Sequence, residues 1–280
     1  MKQTTKQIVY LLTLSVLIML FAPTIQTKAA GTKSNRRSNQ EVVENGVLKL
    51  VNNQKIQIYG GSISPKLVTE INFNKVGYII NLCRLKYTPS KKSKLGSKLK
   101  LNQKVRYTDY SKSHKIMKLG NKLFFVNSKN ISKKKLKTTE YSVSGDRCKT
   151  YESYTAIGTK GRSTQSKLQA KAETREDGVR VYKDRVCIAI GSHYKANIGQ
   201  YVDVHLKNGT IIECVVGDWK ANQHTVNNHT LGLNHDAIEV IVDIKTLKKT
   251  SKVSGDMSDL CKAWDAKVTK IVKYDINDFD

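Results

Sequence analysis

Residues 186–219, VCIAIGSHYKANIGQYVDVHLKNGTIIECVVGDW, decide the fold. Val186-Cys-Ile-Ala-Ile190 is an apolar run of the length of a buried strand. Tyr201 to Leu206 alternates apolar and polar residues, the period of a strand with one buried face. Lys207-Asn208-Gly209 is a tight-turn sequence, and Thr210 to Val216 is a third β segment that ends in Gly217-Asp218. Downstream, a polar 18-residue loop from Trp219 to Asp236 leads to the strand Ala237 to Ile244. Met257, Leu260, Cys261 and Trp264 then share one face of an amphipathic helix, and Lys267 to Tyr274 forms a last strand. Upstream, Tyr151 to Ile157 reads as a strand, and Gln165 to Glu176 as a helix stopped by Gly178.

The chain has 280 residues, enough for one to three domains and for a core that needs no disulfides. With 39% hydrophobic residues, 17 Gly and 3 Pro, it is no collagen, no Pro/Gly-rich disordered chain and no polytopic membrane protein. Its net charge is +26, and the distribution is uneven. Residues 31–150 hold 27 Lys+Arg and 6 Asp+Glu, a net +21, whereas residues 151–280 hold 19 and 17, a net +2. A basic front half and a nearly neutral back half point to two different jobs.

The N-terminus reads as an address. Lys2 and Lys6 precede the apolar run Ile8 to Phe21, followed by Pro23 and Thr27-Lys28-Ala29-Ala30. That order fits a secretory signal peptide over residues 1–29, cleaved after Ala29, with an uncleaved N-terminal anchor as the alternative. On either reading the chain beyond about residue 30 works outside the membrane, extracellular and wall-associated. The five cysteines (Cys83, Cys148, Cys187, Cys214, Cys261) form no CxxC pair. Cys187 and Cys214 could pair if their strands are neighbours; the preferred expectation is that all five are small buried hydrophobes.

Residues 30–70 are a basic lead-in with a hairpin, Val47 to Val51 and Lys55 to Tyr59 around Asn52-Asn53. Over residues 71–135, short strands alternate with Lys/Ser/Gly turns, and Gly120-Asn121 marks a hairpin. Leu82 to Ser90, Lys94-Leu-Gly96 through Lys104-Val105, and Lys115-Ile116 through Ile131 resemble the strand-and-loop order of the bacterial SH3-like cell-wall domain. Outside a cell a net +21 meets teichoic acids and other anionic wall polymers. Lys greatly exceeds Arg here, which suits diffuse attraction more than bidentate readout, so retention on the wall is preferred to nucleic acid. Runs such as Lys133-Lys134-Lys135-Leu-Lys137 could equally be solvated faces.

The back half, residues 150–280, resembles the double-psi β-barrel of the 3D-domain and MltA-like lytic transglycosylases. The likeness rests on Ile188-Ala189, Ile198-Gly199, the strand Tyr201 to Leu206, Val216-Gly-Asp218, and Ile238-Glu239-Val-Ile-Val242. It implies a mainly β fold, a six-stranded double-psi barrel with minor helices behind an SH3-like small barrel. It also implies peptidoglycan as substrate, with Asp218 at the position of the catalytic acid and Glu239 where the family has a second Asp. No cofactor is implied.

The chemistry has its own logic. Glycosidic cleavage needs an acid for the leaving oxygen and a nucleophile for the sugar carbon. A lytic transglycosylase uses the sugar's own 6-hydroxyl, so one carboxyl can act first as acid and then as base. Asp218, at the end of an apolar strand beside Trp219, is placed for a desolvation-raised pKa; it could also simply cap a loop. Lys220 would neutralise an acidic group of the glycan or peptide, and His224 or His235, with Asp236, would line the groove. His193 and Tyr194 would form the opposite rim with Ser192, and Trp219 and Tyr194 would offer stacking faces to sugars. The spacing of His224, His229, His235 and Asp236 matches no zinc signature, so no metal is expected. The reading is thus an exported wall protein that cleaves glycan strands; the alternative is the same barrel binding wall polymer without cutting it.

Overall fold

The computed structural model describes residues 48–51, 55–58, 73–119, 122–143, 149–277 and 279. The expected signal segment, most of the lead-in, the expected turn at Gly120-Asn121 and Cys148 lie outside them. The chain is mainly β.

In the front half nine strands form one antiparallel sheet. They are β1 (Leu48–Val51), β2 (Lys55–Ile58), β3 (Lys75–Ile79), β4 (Cys83–Lys86), β5 (Leu95–Leu99), β6 (Lys104–Asp109), β7 (His114–Leu119), β8 (Lys122–Asn127) and β9 (Ile131–Ser132). The order is β2-β1-β8-β7-β6-β3-β9, with β4 pairing β5 and β8. The expected hairpin is β1 against β2, and β7 and β8 pair antiparallel from Leu119↔Lys122 outward on either side of the predicted turn. Alternation along β6 buries Val105 and Tyr107 while Lys104 and Arg106 face water. Ile79, Leu85, Leu99, Met117 and Phe124 complete that core. Lysines can therefore be plentiful here without entering the core.

The back half is a mixed sheet. Its strands are β10 (Thr138–Ser142), β11 (Lys149–Ser153), β12 (Glu173–Thr174), β13 (Arg180–Tyr182), β14 (Arg185–Ile190), β15 (Gln200–Leu206), β16 (Ile211–Trp219), β19 (Ile238–Val242) and β20 (Val268–Asn277). The loop between β16 and β19 carries a short hairpin, β17 (Thr225–Val226) with β18 (Leu231–Gly232). The order β10-β20-β15-β16-β14-β13-β12 is mostly antiparallel, but β14 runs parallel to β16 and β11 parallel to β19. An antiparallel contact of β14 with β19 joins the two parallel pairs. All six residues of β14 are buried, the five from Val186 to Ile190 as their unbroken apolar run predicts.

Three sequence expectations change. Tyr151 to Ile157 is a strand only to Ser153; there the Ser153 hydroxyl accepts the Thr155 N–H and starts α1 (Tyr154–Ile157). The second helix, α2 (Thr164–Lys171), stops well before Glu176, because the chain enters β12 to pair with β13. Met257, Leu260 and Trp264 are buried but not by one helix: Cys261 is extended at φ −157° between two 3₁₀ turns, Met257–Leu260 and Lys262–Trp264. A separate helix, α3 (Lys249–Ser254), precedes them.

Cys187 and Cys214 do lie on adjacent strands, yet both thiols are free. Cys187 is opposite Val215 and Cys214 is opposite Val186, so the two side chains point to opposite faces of the sheet. Both are buried, Cys83 is half-buried and Cys261 is exposed, which corrects the expectation of five buried cysteines.

The two halves touch through apolar and polar contacts, with Leu101 and Leu82 packing into the back-half core. Arg84 pairs with Asp184 at 3.0 Å and Lys98 with Glu213 at 2.7 Å. Asn102 both donates to and accepts from the Leu136 backbone.

Candidate functional site

Thr150 on β11 stands opposite Glu239 on β19, Glu239 opposite Ala189 on β14, and Ala189 opposite Asp218 on β16. Directly opposed residues share a face, so one rung across four strands carries Thr150, Glu239, Ala189 and Asp218. Ala189, itself fully buried, separates the two carboxylates, whose backbones are two strand spacings apart, about 10 Å. A bulge aims the second of them. Between Val216 and Asp218 the register with β14 slips by one residue, at Gly217. A Cβ on Gly217 would lie 2.6 Å from Ile241 Cδ1, so a side chain there would have to displace the end of Ile241.

Asp218 is half-buried, and burial raises its pKa; a hydrogen bond from the Trp219 N–H and one from the Gln165 side chain on α2 work the other way. Burial also raises Glu239, against the pull of Lys220. The third carboxyl, Glu152, was not singled out by any sequence signal. It follows Thr150 by two residues on β11 and so shares its face. Burial, and then the negative charges of Asp218 and Glu239, push it up to about 7, although Lys220 lowers it.

Beneath these groups lies a buried ion pair. Lys220 Nζ donates to Asp236 Oδ2 at 2.6 Å and sits 3.3 Å from Glu239 Oε1. Its side chain is 3% exposed, that of Asp236 0%. The Thr150 hydroxyl also donates to Asp236 Oδ2. Gly232 in β18 makes room for the pair: a Cβ there would be 2.0 Å from Asp236 Oδ1. Asp236 thus has no surface to offer a substrate, which corrects its expected place in the groove. It fixes Lys220, and Lys220 in turn holds Glu239. The expected neutralising role of Lys220 is directed inward, at the protein's own carboxylates.

The expected rim is also partly internal. Tyr194 is 1% exposed, with its hydroxyl donating to Thr230 O at 3.0 Å, so it presents no stacking face. Trp219 does: it is 46% exposed, and its indole N–H is anchored on Ala196 O at 2.7 Å. His193 and Ser192 line a cleft of about 420 Å³ with Tyr141, Lys195, Asn228 and His229; none of the carboxylates lines it. A 2.7 Å contact of Ser192 Oγ with Asn222 Oδ1 ties this rim to the loop after Trp219. His224 and His235 lie exposed on that loop, His224 beside Gln223 and His235 with φ +63°. His229 shares a 2.6 Å hydrogen bond with Thr225.

The site therefore gathers Glu152, Asp218 and Glu239 over a buried lysine; the indole of Trp219, opposite Ile190, projects from the other face of the strand, which corrects its expected place beside Asp218. Such an arrangement can give and take protons at a polar substrate. Compared with protein-family models, with curated proteins and with solved structures, the chain matches none.

Proposed function

We propose that this protein is exported and cleaves peptidoglycan glycan strands as a lytic transglycosylase, with Asp218 as an acid–base group. The observation that carries the reading is the rung Thr150–Glu239–Ala189–Asp218: two half-buried carboxyls, both with raised pKa, on either side of a small alanine. A glycosidic oxygen needs a protonated carboxyl beside it, and desolvation is how a protein keeps one near neutral pH.

Support for the barrel type comes from topology. Two parallel strand pairs, β11 with β19 and β14 with β16, linked through β14 and β19, suit a double-psi β-barrel. The antiparallel front half with its own core suits a small SH3-like barrel. Its exposed lysines, among them Lys91, Lys92, Lys133, Lys134 and Lys135, would hold the enzyme on teichoic acid or a similar wall polymer.

The test is to incubate the mature protein and Asp218→Asn with purified peptidoglycan and to identify released muropeptides by mass spectrometry. Anhydro-muropeptides from the wild type alone support the proposal. Products with reducing ends replace the mechanism with hydrolysis. No release, with both proteins sedimenting with the wall, leaves a binding protein.

A further inference from the structure

We propose that Glu152 is a second acid–base group of this site, delivering the proton to the departing glycosidic oxygen while Asp218 takes the proton of the attacking hydroxyl. This assignment rests on the glycan-cleaving reading above and divides between two residues what one carboxyl would otherwise do in turn.

The placement of Glu152 is the first argument. It stands opposite Ile241 on β19, on the face that carries Thr150 and Glu239. Ile241 is also the side chain against which Gly217 packs, immediately before Asp218. Glu152 and Asp218 therefore approach one region from β11 and β16. Both also stand near the ends of their strands. After Glu152 the chain turns away, because Ser153 caps α1. After Asp218 it leaves β16 at Trp219. Both carboxyls keep part of their surface exposed, as a group that meets a substrate must.

Partnership is the second argument. The ammonium of Lys220 is held by Asp236 and Glu239. Among the described residues no ion pair or hydrogen bond engages the Glu152 carboxyl. Asp218, by contrast, accepts hydrogen bonds from the Trp219 N–H and Gln165, contacts that favour its charged form. The charged groups acting on Glu152 are Asp218 and Glu239, which keep its proton on, and Lys220, which opposes them more weakly. Burial raises both carboxyls, but only Asp218 has hydrogen bonds that oppose the rise, so Glu152 is the better holder of a proton and Asp218 the better acceptor, the separation that acid–base pairs use.

The step balances. The Glu152 proton goes to the bridging oxygen as its bond to the anomeric carbon breaks, and the leaving sugar departs as an alcohol. The 6-hydroxyl oxygen bonds to that carbon, and its proton passes to Asp218. One proton is given and one is taken, and exchange with water restores both carboxyls.

The experiment measures anhydro-muropeptide release by wild type, Glu152→Gln, Glu152→Asp and Asp218→Asn between pH 5 and 9 on purified peptidoglycan. Wild-type activity should fall as pH rises through about 7. Glu152→Gln should lose about 10²–10⁴-fold, and its residual activity should not fall further with alkali. Glu152→Asp should recover part of the rate and the alkaline fall with it, which a purely structural role would not produce. If Glu152→Gln does not fold, Glu152→Asp decides by whether its alkaline limb moves. Release by Glu152→Gln within about threefold of wild type, with the same alkaline limb, overturns the assignment while Asp218 keeps its role. No release by wild type overturns the glycan-cleaving function and this assignment together.

Discussion

The front half of this chain wears its charge, and the back half buries it. In the front sheet the Lys75 and Asp109 ion pair is half-exposed on both sides, and Lys133, Lys134, Lys135 and Lys137 face water. In the back half Arg185, Lys220 and Asp236 are all nearly or wholly buried. Arg185 donates to Cys214 O and Val202 O and pairs with Asp203, which in turn accepts from the Tyr274 hydroxyl. The lesson is that the excess of +21 over residues 31–150 and the near-neutrality beyond it describe different things. Exposed lysines act at a distance and are weakened by salt. Buried pairs act on their neighbours' geometry, and losing one partner is costly.

The largest expected effect is at Lys220. Lys220→Met strands Asp236 and Glu239 and should cost about 3–5 kcal/mol in chemical denaturation. A Lys220→Met/Asp236→Leu variant should regain most of it. A loss for the single variant no larger than a surface substitution gives, about 0.5 kcal/mol, would break the contrast between the halves. Next comes Gly217→Ala. Its Cβ would meet Ile241 Cδ1 at 2.6 Å and Gln169 Nε2 at 3.0 Å, so these buried side chains or the bulge must give way, at about 1–3 kcal/mol. Because the bulge aims Asp218, glycan cleavage should fall at least about tenfold even where the variant is folded.

A smaller effect sharpens the comparison through pH. Glu152 titrates at about 7 in the folded protein, above an ordinary glutamate at 4.5. Its contribution to stability is therefore complete below pH 4.5 and is lost as pH rises through about 7. Glu152→Gln, which stays neutral, should match wild type at pH 4 and exceed it at pH 8 by about 1 kcal/mol, the full shift being reduced by solvent around a partly exposed group. Melting curves at the two pH values check this. Smallest for stability is the front-half change Lys133, Lys134, Lys135 and Lys137 to Gln. It should move unfolding by less than about 0.5 kcal/mol yet weaken sedimentation with teichoic-acid-bearing walls, most visibly at low salt.

What the sequence made legible follows from range. The strands around residues 186–219 carry their own pattern, and β14, β15 and β16 fall within a residue or two of it at most ends. Asp218 is legible because it ends such a strand. Glu152 is not: its strand has no alternation, and its meaning depends on parallel pairing with β19, far along the chain. Thr150 and Asp236, which hydrogen-bond, are 86 residues apart. Burial of Tyr194 and Asp236 was equally hidden, since polar residues in a polar loop give no sign that the fold covers them. The 3₁₀ turns at Met257 and Lys262 show the same limit. Apolar spacing of three and four suits a helix, and two short turns bury those residues as well.

The central claim is that chemistry resides in the back-half carboxylates and retention in the front-half lysines. The most direct test compares anhydro-muropeptide release from insoluble walls and from soluble glycan fragments, at low and high salt, for wild type and Asp218→Asn. The account predicts that salt slows release from walls but not from soluble fragments, and that Asp218→Asn abolishes both. Equal release by Asp218→Asn and wild type, or release from neither, would contradict it.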